Sequence, residues 1–181
     1  TGQGLPVPTR LIYVVDRRLI VDSVTAYAER LGCQVVKMRG GVTIDSSWMM
    51  APNRPTVIVS TVDQAGSRLL WRGFGVSPAT APIHVALIGN DALLVLDEAH
   101  ISTPFAATLA AVQELRRKES LPWHVVTMTA TPLDGGDTLE LAEADRSHPV
   151  LRRRLHSRKP ARLVKVEKAG FVAAMVAEAN K

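Results

Sequence analysis

A single cysteine, Cys33, excludes an internal disulfide and a cysteine-built zinc framework. No apolar run approaches the ~20 residues that a membrane-spanning helix needs, because charge or proline soon interrupts each one. The opening residues lack the basic-then-apolar pattern of a secretory signal. These absences make a reducing cytoplasm the expected setting. What is present is an ordinary globular composition. The chain has 181 residues, 46% of them hydrophobic, which suits one domain with one core.

Charge is unevenly spread. Nine cations lie between Arg146 and Lys168: Arg146, Arg152, Arg153, Arg154, Arg158, Lys159, Arg162, Lys165 and Lys168. Glu167 is the only acid among them, so the stretch carries +8. The whole chain carries +5, which leaves −3 for the remainder (5 − 8). Such a concentration suits either a polyanionic partner or a solvated helix face.

Short apolar, β-branched runs predict strands at 11–15, 34–38, 56–60, 92–96, 124–128 and 162–166. Helical spacing over 18–31 predicts a helix with Leu19, Val24, Tyr27 and Leu31 on its inner side. Further helices are expected from Thr61, from Thr103 (with Pro104 at its first position) and over 168–179, while 72–82 reads as a loop. Uniformly apolar strands alternating with helices predict an α/β fold, a parallel β-sheet flanked by helices.

The polar motifs fall at the predicted strand ends, where such sheets build their sites. Asp97-Glu-Ala-His100 follows the most apolar strand. Two carboxylates there supply a holder for Mg²⁺, Asp97, and a group that orients an attacking water, Glu98. An acidic helix start is the simpler alternative. Thr129 and Thr131 end the next strand and can hydrogen-bond this tetrad, coupling nucleotide state to the rest of the protein together with His100. Arg17 and Arg18, after the first strand, suit a phosphate, and Thr61 and Gln64 suit a nucleic-acid backbone. Surface charge and N-capping by Thr61 or Asp63 are the plain alternatives. Trp48, Trp71 and Phe74 are candidates for base stacking or for core packing. His84, His124 and His156 have no metal-ligand spacing.

Asp97-Glu-Ala-His100 and Thr129-Ala-Thr131 resemble motifs II and III of superfamily-two helicases of DEAH type. Tyr13-Val-Val-Asp-Arg-Arg18 resembles motif Ia, and Ser60-Thr-Val-Asp-Gln64 resembles motif Ib. The longer stretches 60–70 and 87–100, the turn Arg39-Gly-Gly41 and residues 153–160 are similar to the CRISPR-associated helicase of type I systems, subtype I-U (also called I-G). The resemblance spans about residues 10–168. It implies a partial first RecA-like domain over 10–168, an N-terminal edge at 1–9, and a helix at 169–181 leading towards a second RecA-like domain. It also implies Mg²⁺ and ATP as cofactors, and single-stranded DNA and a type I CRISPR surveillance complex as partners. The activity implied is translocation on target DNA after R-loop formation.

The family's phosphate-binding Gly-x-x-x-x-Gly-Lys-[Ser/Thr] does not occur in these 181 residues. Thr1-Gly-Gln-Gly4 has two of the glycines and no lysine after them. The expectation is a fragment lacking the P-loop strand, needing the missing segments as partners and inactive as an ATPase alone. The alternatives are a non-catalytic RecA-like module that binds nucleic acid or a partner, and a fragment of another DEAH-type translocase.

Overall fold

Apolar runs bounded by Gly, Pro and charge do become strands in the computed structural model, which describes residues 7–43, 45–129, 141–158, 160–161 and 163–179. The strands are β1 (Arg10–Val15), β2 (Val35–Met38), β3 (Thr56–Thr61), β4 (Ala92–Leu96) and β5 (Trp123–Thr127). They form one sheet in the order β2-β3-β1-β4-β5, and every pairing is parallel. Between them lie helices α1 (Arg18–Arg30), α2 (Ser47–Met50), α3 (Val62–Leu69), α4 (Ala81–Gly89) and α5 (Thr103–Leu115). The α/β architecture read from the sequence, a parallel sheet flanked by helices, is therefore present.

Because side chains alternate across a strand, each face of the sheet has its own core. Ile12, Val14, Ile58, Leu94 and Leu96 pack on one side with Trp48, Ile88, Phe105 and Leu109 from the helices. Val15 and Val59 pack on the other with Val21 of α1. Full burial of each large aliphatic side chain contributes about 1.5–3 kcal/mol. Strand β4 is anchored by fully buried Leu94 and Leu96, which gives the residues after it a rigid base. At the opposite end of the sheet, buried Arg10 donates to the carbonyls of Leu87, Pro52 and Asn90 and pairs with Asp91 at 3.3 Å.

Three expectations are corrected. Helix α1 turns Val21, Thr25 and Ala28 inward, while Leu19, Tyr27 and Leu31 are exposed. Apolar residues surround much of this helix, so spacing alone left two faces in competition; the face taken lets smaller side chains approach the sheet. Residues 81–89, partly read as loop, form α4, with Pro82 in the first turn where its missing N–H costs nothing. Residues 163–167 form no strand, and Leu163 is fully exposed. A strand needs a neighbour, and no described ladder includes this run. Arg162 lies outside the described residues.

The chain divides into two compact units, Thr1–Gly135 and Gly136–Lys181. The second contains two short helices, α6 (Glu143–Ser147) and α7 (Pro149–Leu155), and a closing helix α8 (Phe171–Ala179). None of its described residues is buried, and Arg152, Arg153 and Arg154 lie exposed on α7. Among the described residues no helix is long and apolar enough to cross a membrane.

Candidate functional site

Parallel pairing brings the carboxyl ends of all five strands to one rim. Asp16, Thr61, Asp97 and Thr129 follow or close β1, β3, β4 and β5 there. The chain runs from β1 to β2 and β3 on one side, then crosses to β4 on the other. That reversal makes the gap between β1 and β4 the switch point at which open α/β sheets bind ligands.

Asp97 stands at this point. Its backbone N–H donates to Val14 O at 2.9 Å, so the strand geometry continues into the motif. Its carboxylate accepts from the Glu98 N–H at 2.8 Å through Oδ1 and from the Tyr13 hydroxyl at 2.9 Å through Oδ2. Tyr13 was not among the residues singled out from sequence. Burial, then the hydrogen bond and charge of Asp97, push its phenol up to about 12. Tyr13 therefore stays neutral and donating at any physiological pH.

Glu98 adopts a left-handed backbone, φ +53° and ψ 41°. A side chain with a Cβ costs about 1–2 kcal/mol there, and such strain gathers at functional positions. The conformation turns the chain sharply out of β4 and leaves the carboxylate about half exposed. His100 lies between two elements. Its Nδ1 is 3.0 Å from Thr129 Oγ1, and its Nε2 is 3.6 Å from Glu98 Oε2. With the ring proton on Nε2, the imidazole faces the carboxylate with a donor and accepts the threonine hydroxyl. The ends of β4 and β5 are thus tied through one imidazole, and the Ala99 N–H donates to Met128 O at 3.0 Å beside it. Thr131 lies outside the described residues.

The centre offers oxygen ligands suited to a hard cation. Asp97 retains lone pairs on both oxygens beyond its two hydrogen bonds. Among the described residues no group of three or more His, Cys, Asp or Glu is placed to hold a metal ion. One carboxylate fits Mg²⁺, which keeps several waters and takes other ligands from substrate phosphates.

The other half of the rim is basic. Arg17 and Arg18 are exposed at the start of α1. The Arg18 guanidinium crosses Gly40 so closely that a Cβ there would stand 3.2 Å from Nη2. Thr61 and Gln64 are buried, not exposed as an open strand-binding surface would have them. Thr61 makes no side-chain cap bond at α3, and Gln64 Oε1 accepts from Arg68 Nη1 within the helix. Gln64, Gly40 and Arg39 line one cleft at the ends of β2 and β3, and the Arg18 guanidinium lies against Gly40 of that lining. Trp48 is buried against His84, whereas Trp71 and Phe74 are largely exposed. Arg68 was not singled out from the sequence, and His84 was weighed there only as a metal ligand. A lone arginine four residues after Gln64, on the buried side of a short helix, was the available signal.

No known family profile matches the chain, and no curated protein matches it.

Proposed function

We propose that this chain is part of an ATP-dependent DNA helicase or translocase of DEAH type, of the kind that serves type I CRISPR interference. The observation that carries the reading is the grouping of Asp97, Glu98, His100 and Thr129 at the switch point, with Tyr13 fixing the first carboxylate. Bound with ATP, Mg²⁺ would supply neutralisation of the phosphate charge. Asp97 would hold the cation from a rigid strand end. Glu98 orients a water and receives its proton. His100 senses Glu98 on one side and passes its position to Thr129 on the other. The exposed arginines Arg17 and Arg18, with Arg152, Arg153 and Arg154 of the basic segment, favour a polyanionic partner, and single-stranded DNA is the one that the resemblance implies.

A second reading is a non-catalytic RecA-like binding module, favoured by the exposed basic residues Arg152, Arg153 and Arg154 that would grip nucleic acid or a partner. Phosphate release separates the two. The chain alone is expected to release phosphate at background rate with or without DNA. Supplied with a P-loop segment and a second RecA-like domain, it is expected to become a DNA-stimulated ATPase that Glu98→Gln abolishes. A completed protein that binds DNA and never hydrolyses ATP would overturn the reading and leave the binding module.

A further inference from the structure

Two arginines of the first unit are nearly inaccessible, and they are answered differently. Arg10 is 6% exposed and meets the carboxylate of Asp91. Arg68 is 2% exposed and meets only neutral acceptors: the Gln64 backbone oxygen, Gln64 Oε1 and the Phe74 carbonyl. Its Nε has no partner, and no carboxylate among the described residues acts on it. His84, 5% exposed, lies close by with Nδ1 unpartnered. A guanidinium removed from water is costly unless an opposite charge answers it.

Both groups line the cleft at the ends of β2 and β3, whose volume is about 720 Å³. Its other cation, Arg39, is already paired with Asp22 at 3.0 Å. Its one acid among the described residues, Asp45, accepts from the Ser47 N–H and hydroxyl at 2.8 and 2.6 Å. Arg18 adds positive charge at the rim across Gly40. The walls include two side chains that water covers, Phe74 at 60% exposed and Met50 at 87%. The space exceeds what a bare phosphate needs and falls within the range of small-ligand sites.

We propose that this cleft is a nucleotide-binding site, in which Arg68 and His84 take a phosphate and the Phe74 ring stacks on the base. Arg68 also grips the Phe74 carbonyl, so the same side chain sets both halves of the site. A phosphate answers the buried charge, and an exposed aromatic beside it distinguishes a nucleotide from a simple anion. The source of the nucleotide is either a free mononucleotide or a unit of a single strand. The proposal draws on the proposed function only in expecting the strand, and its test uses no ATP, so the two fail separately.

The test is an NMR titration of the 181-residue chain with inorganic phosphate, then dTMP, then a short oligo-dT, following His84 and the backbone amides of Gly40 and Gly75. Saturable shifts at these groups are expected, with dTMP tighter than phosphate. Phe74→Ala, an exposed change that keeps the fold, should weaken dTMP by at least about fivefold and leave phosphate unchanged. Arg68→Lys, checked for folding by its amide spectrum, should weaken both on the order of tenfold. Arg30→Gln, the loss of an exposed positive charge on α1 away from the cleft lining, should change neither. Oligo-dT tighter than dTMP assigns the strand as the source; equal affinity assigns the free nucleotide. No saturable shift at His84 with any of the three probes would overturn the proposal. So would equal binding of phosphate and dTMP with no effect of Phe74→Ala.

Discussion

The two halves of the rim are built from the same sheet and seek opposite charges. Between β1 and β4, Asp97 and Glu98 gather negative charge around a neutral phenol. At the ends of β2 and β3, the Arg68 guanidinium is buried with no carboxylate paired to it among the described residues, beside a His84 imidazole held below its ordinary range. The acidic half is partly open and ties its own carboxylate with two short hydrogen bonds. In the basic half Arg68 and His84 are buried, and each leaves one nitrogen without a partner. The difference teaches that the strand ends do not form one undivided crevice. They form an acidic centre and, beside it, a cleft that holds a buried arginine.

The comparison can be broken from the basic side with the largest effect. In Gly73→Ala the new Cβ would stand 2.6 Å from Val76 Cγ2 and 3.1 Å from Arg68 Cγ. The turn carrying Phe74 must shift, and we expect a loss of about 1–3 kcal/mol in urea unfolding. The acidic centre should be untouched, so the late Tyr13 titration should persist in this variant.

Tyr13→Phe breaks the acidic side and should cost about 1 kcal/mol, the worth of one hydrogen bond. It should also remove the component of the phenolate absorbance that titrates near 12 in the native chain. The sign follows from the raised value. Tyr13's contribution is complete below its unfolded value of about 10 and disappears as pH rises through about 12. A wild-type chain whose tyrosines both titrate near 10 would break the assignment.

Glu98→Gly sharpens the contrast, because it should stabilise. Relief of the left-handed strain, less the added chain entropy of glycine, leaves a gain of about 0.5–1 kcal/mol by thermal unfolding. Any DNA-stimulated hydrolysis of the completed protein should be lost in the same variant.

The smallest effect is expected on acidification. Burial, and then the charge of Arg68, hold the His84 imidazole below its ordinary range. Its contribution is therefore present above about 6.5 and lost as pH falls through the lower folded value. Tm should be lower at pH 5 than at pH 7.5, and His84→Gln should narrow that difference.

Much of the fold was legible because buried parallel strands have little choice of composition. The runs ending at Val15, Met38 and Leu96 became strands within a residue of expectation. Helix α4 was less legible, since Ala81-Pro-Ile-His-Val-Ala-Leu-Ile-Gly89 is apolar without a clear polar face and carries a proline. The run at 163–167 has strand-like composition, and composition cannot say whether a neighbour exists. At the site, the tetrad could be read because its chemistry is contiguous in sequence. The bond from Tyr13 to Asp97 could not, because it depends on β1 lying next to β4, which only the strand order decides. Arg68 was hidden for a similar reason: its importance comes from the carboxylate that it lacks.

The strand order has a consequence for how the protein is made. Of the five described strands β1 comes first in the chain, and it sits in the middle of the sheet, between β3 and β4. Among the described strands its first partner is residues 56–61, and its second edge waits for residues 92–96. At about 5–20 residues per second, Leu11-Ile-Tyr-Val-Val15 spends several seconds as a sticky, unpaired segment. A strand with both edges open in this way is prone to pairing with other chains until β3 and β4 cover it.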